Sequence, residues 1–261
     1  MGIRIGFIAL ICAAFYAVLI EPHWLYINFY DLRSDKTLDV IRIVHLADLH
    51  IQEIDSYEAK VTDQIKILEA DLLVLSGDVI DKADHLPILH SFLTELGEIK
   101  AIAVLGNWEY WSGVDIQALY EEYQHHNIRL LVNDGISYKI RQRSIRVLGI
   151  DDFTAGHPDF DLLQYPIEDD LAILVQHSPA YFENLPTSSN TELLDLCLAG
   201  HTHGGQVTLF GRPLWKPPGS GTFSSGRYYT AACELFVSKG IGTSILPIRF
   251  WARPEIAVFD L

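Results

Sequence analysis

The sequence predicts an α/β fold, on three observations. Short apolar runs of strand type recur along the chain: Ile41-Arg-Ile-Val-His-Leu46, Leu72-Leu-Val-Leu75, Ala101-Ile-Ala-Val-Leu105 and Leu171-Ala-Ile-Leu-Val175. Segments with helical spacing of apolar residues lie between them. Each run is followed by residues that carry chemistry: Asp48-Leu-His50, Gly77-Asp-Val-Ile-Asp81, Gly106-Asn-Trp-Glu109 and His177. If the strands lie side by side in one sheet, those groups gather at its carboxyl edge, where α/β proteins place their sites.

At the amino end, Ile5 to Ile20 is sixteen residues without a charge, preceded by Arg4 and followed by Glu21-Pro-His-Trp24. A helix of that length covers about 24 Å at ~1.5 Å per residue, short of the ~30 Å hydrocarbon layer. Ala17-Val-Leu-Ile20 is a poor cleavage site, so residues 1–24 read as an uncleaved membrane anchor rather than a removed signal-like helix, with Trp24 and Tyr26 at the interface. The other reading is a helix packed on the domain itself. Residues 38–261 read as one domain.

Within it, Ser56 to Ala70 has Val61, Ile65 and Leu68 at helical intervals and should cover the sheet. A second helix begins after Pro87 and runs through Ser91 to Leu96, and a third spans Val114 to His126, with Asp115, Glu121 and Glu122 on its polar side. Ile128 to Val132, Ile136 to Ile140 and Ile145 to Ile150 are β-like, as a second sheet needs. Asp151 and Asp152, near Gly156, read as a loop beside the site. Lys216-Pro-Pro-Gly-Ser-Gly221 through Gly226 reads as a mobile loop over it. Lys216, Arg227 and Arg249 are candidate phosphate contacts, each with an ordinary surface charge as the alternative.

A fifth block, Gly200-His-Thr-His203, completes a set of carboxylates, a carboxamide and imidazoles large enough for two metal ions. Two divalent ions about 3.5–4 Å apart need an anionic ligand between them and open positions for water and substrate, an arrangement suited to phosphoester hydrolysis. Asp78 is the natural bridge. Mixed nitrogen and oxygen donors suit Mn, Zn or Fe better than Ca or Mg.

The order Asp-x-His, Gly-Asp-x-x-Asp, Gly-Asn-x-Glu, His, Gly-His-x-His resembles the calcineurin-like metallophosphoesterases. The string Gly200-His-Thr-His-Gly-Gly-Gln206, with Pro247-Ile-Arg-Phe250 and Pro254-Glu-Ile256, is similar to their membrane-associated bacterial branch, which includes phosphodiesterases and the UDP-2,3-diacylglucosamine pyrophosphatases of lipid A biosynthesis. The resemblance runs from about Glu21 to the last residue. It implies a four-layer α/β/β/α sandwich of two mixed sheets flanked by helices, behind the N-terminal hydrophobic helix. It also implies that Asp48, His50 and His203 hold one ion and Asn107, His177 and His201 the other, with Asp78 shared and Asp78, Asn107 and His177 central to catalysis. The reaction it implies is in-line attack on phosphorus in a phosphodiester or pyrophosphate, with the ions neutralising phosphoryl charge. Gly204 and Gly205 would let the backbone approach a phosphate.

One position departs from the pattern. The family has an imidazole after Gly-Asn, and Trp108 stands there; an indole donates a hydrogen bond but shuttles no proton. Good leaving groups suffer least from that loss, so diesters and pyrophosphates are expected over alkyl monoesters. Trp108 is a substrate-contact candidate. With Tyr110 and Trp111 it forms either a packing cluster, a wall against water, or a contact for an acyl chain. Glu109 is a candidate substitute acid.

Blander readings fit other residues. Asp81 reads as orienting its turn and His45 as a satisfied core imidazole. His125-His126 read as capping the end of a helix, and His23, His85, His90 and His157 take no role.

A formal net charge of −15 sets a repulsive field against a phosphate polymer, so no nucleic-acid polymer is expected as a partner. Cys12, Cys197 and Cys233 form no spaced framework, and neither a disulfide scaffold nor a zinc knuckle is expected. Arg4 suggests an inner-membrane anchor with the domain outside, whereas a lipid A role suits the cytoplasmic face. Two other classes stand beside the enzyme: a non-catalytic metal-binding module, and a lipid-binding membrane protein.

Overall fold

The computed structural model describes residues 2–33, 39–159, 161–164, 167–183, 185 and 194–261. Helix α1 (Gly2–Phe15) continues through a π turn at Tyr16–Ile20 and a 3-10 turn at Glu21–His23. Residues 6–23 form an 18-residue helical stretch of mean hydropathy 1.7, long and apolar enough to cross a membrane. Up to Ile20 its side chains stay outside the core, with Phe7 64% and Leu10 68% exposed, and only Glu21 and Pro22 at its end are buried.

The chain then alternates in the order β1 (Tyr26–Asp31), β2 (Arg42–Leu46), α2 (Ser56–Leu68), β3 (Leu72–Leu75), α3 (Leu86–Leu96), β4 (Ala101–Ala103), α4 (Asn107–Trp111), α5 (Ile116–His125) and β5 (Ile128–Leu130). Next come β6 (Asp134–Ile140), β7 (Arg143–Gly149), β8 (Leu171–Val175), β9 (Leu196–Ala199), the small hairpin β10 (Thr208–Leu209) and β11 (Arg212–Pro213), β12 (Gly226–Tyr229), β13 (Glu234–Val237) and β14 (Glu255–Asp260). Capping fixes the helix starts: the Asp55 carboxylate accepts from Tyr57 N at 2.6 Å, and that of Asp115 accepts from Gln117 N at 3.0 Å.

Two six-stranded mixed sheets pack face to face, one in the order β1-β14-β2-β3-β4-β5 and the other β12-β13-β9-β8-β7-β6. Alternate residues sort to opposite faces. Ile43, Val74 and Ile102 of the first sheet meet Val147, Ile173, Leu198 and Phe236 of the second. On the outer face of the first sheet, Val44, Leu73 and Leu75 pack against Ile65, Phe92 and Tyr123 of α2, α3 and α5. The outer face of the second sheet is covered by thinner material, including the 3-10 turn Pro179–Glu183 with buried Tyr181 and Phe182. The two mixed sheets are thus flanked by helices, α-helices outside the first and, among the described residues, 3-10 turns outside the second.

Four expectations change. The four apolar runs do not share a sheet, because β8 lies in the second one. Ile128–Leu130 pairs with β4 and closes the first sheet rather than opening the second: α5 crosses back over the first sheet and delivers it to the free edge of β4. The first sheet also reaches upstream of residue 38, since Tyr26–Asp31 runs parallel to β14. A Cys197–Cys233 disulfide is present, with Cα atoms 6.1 Å apart. The 36 residues between the two cysteines conceal that β9 and β13 are neighbours.

Candidate metal centre

The ends of β2, β3, β4, β8 and β9 converge from both sheets on one rim, and a ligand-type residue follows each. Five of these residues are turned into the left-handed region: Asp48 (φ 52°), His50 (φ 44°), Asp78 (φ 54°), His201 (φ 71°) and His203 (φ 49°). A non-glycine residue pays about 1–2 kcal/mol there, and such strain persists where surrounding structure over-determines it. Here the loops after β2 and β3 go on pairing past the strands, through Asp48 N to Gly77 O at 3.1 Å and His50 N to Asp78 O at 3.0 Å. Gly77 adopts φ 93°, and a Cβ there would lie 2.6 Å from Gly106 N, so the loops of β3 and β4 touch backbone to backbone.

Glu109 locks that contact. Its buried carboxylate accepts from Asp78 N at 2.9 Å, Val79 N at 2.6 Å and Gly106 N at 2.7 Å. Burial and the neighbouring Asp78 raise its pKa to about 7. It faces the backbone of the loops and clamps them, which is a different role from that of a substitute acid.

All seven expected ligands are buried and meet at one place. Asp48, His50 and His203 form one group, and Asp78, His177 and His201 the other, the donor atoms of each group lying within 4.8 Å of one another. His50 Nε2 and His203 Nε2 are 3.1 Å apart, at 3.8 Å from Asp78 Oδ2 and 3.7 Å from Asp48 Oδ1 respectively. In the second group His177 Nε2 lies 3.1 Å from Asp78 Oδ2 and 3.9 Å from Asp48 Oδ1, so Asp78 reaches both groups.

The outer nitrogens decide what faces inward. His177 Nδ1 donates to Ser76 O at 2.7 Å, which leaves its Nε2 lone pair toward the carboxylate of Asp78. His201 Nε2 donates to Pro218 O at 2.7 Å, so its Nδ1 lone pair meets Asn107 Oδ1, also at 2.7 Å. Lone pair against lone pair is repulsive unless a cation lies between, so the donor set fits metal ions. Burial lowers the pKa of His201 to about 4 and lowers those of His50 and His203, which keeps these rings neutral and ready to coordinate. Burial opposes a charge on His177, but Asp78, Asp48 and Asp152 overcome it and raise its pKa well above the ordinary value. Burial likewise pushes Asp78 upward, and the surrounding histidines, His177 foremost, bring it down to about 2. Without metal, a proton on His177 stands where a metal cation would.

Other expected contacts fall elsewhere. Arg249 is fully buried and donates to the carbonyls of Ala252, Lys239, Gly240 and Gly242; it braces the last loop and does not face the centre as a phosphate contact. Lys216 is bound to Gly221 O and Phe223 O, and Arg227 to Glu234. Gly204 N and Gly205 N are turned into their own loop, toward Thr202 Oγ1 at 3.2 Å and Thr202 O at 2.7 Å, so neither amide is presented to a phosphate. A Cβ on Gly205 would lie 2.2 Å from Pro213, which explains the glycine by packing. Asp151 and Asp152 stand beside the site: Asp151 accepts from Tyr110 OH and Asp152 from Ser178 Oγ, each at 2.6 Å. His45 bonds Ser76 Oγ at 2.7 Å inside the core.

The carbonyls of Ser76 and Pro218 are functional groups that the sequence does not mark. Main-chain groups leave no side-chain signal, although Pro218 lies in the loop placed over the site. That loop does cover His201: a Cβ on Gly219 would be 3.0 Å from its Nε2. Beside the donors opens a cavity of about 550 Å³ with Asp78, Asn107, His201 and His203 in its lining. Its remaining wall is mostly apolar, from Trp108, Trp111, Leu214, Trp215, Ile245 and Leu246. Trp108 packs edge-on to both His50 and Trp111, and its N–H of the main chain donates to Asp78 Oδ1 at 2.8 Å.

Residues 41–205 match the family profile of the calcineurin-like phosphoesterases. The metallophosphoesterase YkuE of Bacillus subtilis is 28% identical over 267 residues, covering 94% of this chain and 88% of that protein. The phosphodiesterase YaeI of Escherichia coli is 26% identical over 254 residues, covering 92% and 90%. Among solved structures, a dimetal phosphatase from Danio rerio shares the fold at a TM-score of 0.52 and 11% identity, over 80% of this chain and 90% of that one.

Proposed function

We propose, for a chain that belongs to the calcineurin-like phosphoesterase family and is a metal-dependent phosphoric ester hydrolase, that it cleaves phosphodiester or pyrophosphate bonds carrying an apolar group. The observation that carries this reading is the junction of seven buried donors with a cavity walled by tryptophans and aliphatic side chains. Asp48, His50 and His203 would hold one divalent ion, Asn107, His177 and His201 a second, and Asp78 both; Mn, Zn and Fe suit these donors. Two bound ions supply Lewis acidity toward the phosphoryl group and the attacking water. The chain orients the donors from behind, with Ser76 O and Pro218 O fixing two imidazoles and Glu109 holding the Asp78 loop. Trp108 shields one side and moves no proton, so the leaving group departs unassisted by an imidazole at that position.

The apolar wall supports a lipid-linked substrate, such as UDP-2,3-diacylglucosamine or a lipid phosphodiester. Its loop at 244–251 is joined to the N-terminal helix: Arg249 N donates to Ala17 O at 2.9 Å, Trp251 N to the Glu21 carboxylate at 2.9 Å, and Tyr16 packs on Phe250. A membrane anchored through that helix would therefore lie close to the cavity mouth. The buried disulfide suits an oxidising compartment, and with Arg4 ahead of the apolar segment it supports a domain on the outer face, which favours a lipid phosphodiester over UDP-2,3-diacylglucosamine, a substrate suited to the cytoplasmic face.

The test is turnover of a chromogenic phosphodiester with and without chelator, repeated with a long-chain lipid phosphodiester. Chelator-sensitive turnover that improves with the lipid chain is expected. Tight metal without turnover on either substrate would instead make the protein a metal-binding module, and equal kcat/KM for short- and long-chain diesters would remove the lipid.

A further inference from the structure

A second histidine cluster lies on the helical layer outside the first sheet, separate from the centre described above. His90 comes from α3, while Glu122, His125 and His126 come from the last turn of α5 and its C-cap. His90 Nδ1 is 2.9 Å and His126 Nε2 3.0 Å from the same carboxylate oxygen, Glu122 Oε1, and the two nitrogens are 3.4 Å apart. His125 completes the group, with the nitrogens of all three histidines within 4.8 Å of one another. The side chains of Glu122 and His126 are 16% and 12% exposed, and that of His90 is 48% exposed, so the cluster is seated but open on one side.

We propose that His90, Glu122 and His126, with His125 as the fourth donor, form a surface site for a borderline divalent transition ion such as Zn²⁺, Cu²⁺ or Ni²⁺. Glu122 Oε1, His90 Nδ1 and His126 Nε2 make a triangle small enough that one point about 1 Å off its plane lies about 2.0–2.2 Å from each, the bond length such ions take with imidazole and carboxylate. Imidazole-rich donor sets select these ions over Ca²⁺ and Mg²⁺. The place is electrostatically suitable too: the carboxyl end of α5 presents unpaired carbonyls and the negative pole of its dipole. Glu122 and His126 are one helical turn apart on the same face, so α5 presents them together and α3 brings His90 to the third corner. An ion there would tie two covering helices of the first sheet to each other, and would stabilise the fold without entering the reaction.

Metal stoichiometry and thermal unfolding test this. After zinc loading and gel filtration, the wild-type chain should retain three equivalents, two at the dinuclear centre and one here. The double variant His90→Ala/His126→Ala should retain two and keep phosphodiesterase activity unchanged. Asp78→Asn, which breaks the dinuclear centre, should still hold at least one ion, and with Co²⁺ that ion should give the intense visible absorption of four-coordinate cobalt. At zinc hundredfold above its Kd the extra ion should raise the wild-type Tm by ~5 °C over the double variant. Two equivalents in both proteins, or a third that survives the histidine substitutions, would overturn the proposal. If the double variant does not fold, the cobalt spectrum of Asp78→Asn, with or without Glu122→Gln, decides.

Discussion

At the scale of the residue, Trp108 is the most informative position. Its indole packs edge-on against His50 and Trp111 on the cavity wall, where the family has a proton-transferring imidazole. Trp108→His should raise turnover of an alkyl phosphomonoester by about 10²- to 10⁴-fold, the usual worth of a general acid. An activated nitrophenyl diester should gain little, and an equal gain on both substrates would falsify the leaving-group argument. His45 offers a separate test in the core. Burial lowers its pKa to about 3, against 6.5 in the unfolded chain. The unfolded chain therefore takes up a proton below pH 6.5 that the folded chain refuses until about pH 3, so this residue's stability contribution is present above 6.5 and lost as the pH falls. Between pH 7.5 and 5 the loss should be about 2 kcal/mol. Urea denaturation of His45→Gln at the two pH values should show a shallower decline by that amount.

At the scale of the element, the site is held by loops that continue beyond their strands and are locked by one carboxylate. Glu109 takes three main-chain N–H groups from two loops. Glu109→Gln presents an amide N–H to at least one of those donors and should cost about 3 kcal/mol, read from denaturant midpoints. Because Asp78 and Asn107 stand on the clamped loops, metal affinity should fall about 10- to 100-fold as well. Competition with a chromogenic chelator measures that change; unaltered affinity would show that the loops hold without the clamp. Much of the element scale was legible in advance. The helices over 56–68, 86–96 and 116–125 and most inner strands follow from apolar spacing and capping residues. The short helix at Asn107–Trp111 did not, because five residues carry too little periodicity. Nor did the strand Tyr26–Asp31, an edge strand half open to solvent whose pattern lacks a continuous apolar run.

At the scale of the whole molecule, two buried carboxylates and four imidazoles are stable together only with positive charge among them. Burial raises the pKa of Asp48 to about 7. The metal-free folded chain thus binds a proton there that the unfolded chain loses near pH 3.8, and its stability falls as the pH rises through that interval. Bound ions replace that proton. Chelation should therefore lower Tm more at pH 8 than at pH 5.5, where protons on Asp48 and His177 compete with the ions; equal losses would mean that the donors do not hold metal. The disulfide gives a second global readout. Alkylation of the denatured, unreduced protein from its native cells should find one free thiol, Cys12, where a chain with reduced cysteines shows three.

What the sequence determined by itself was chemistry of local origin: which residues could bind metal, that each follows a buried strand, and that the chain begins with an apolar helix. Those properties rest on residue type and short-range spacing, which the chain carries in one dimension. Only the tertiary structure decided which sheet each strand joins, that Cys197 meets Cys233, and that His90 stands against Glu122 and His126. It likewise turned Arg249 inward onto carbonyls and packed Gly204 against Lys239 and Gly205 against Pro213, with neither glycine left for a phosphate. Each of these is a contact between segments far apart in the chain, fixed by how the two sheets and their covering helices exclude water together, and no local pattern records it.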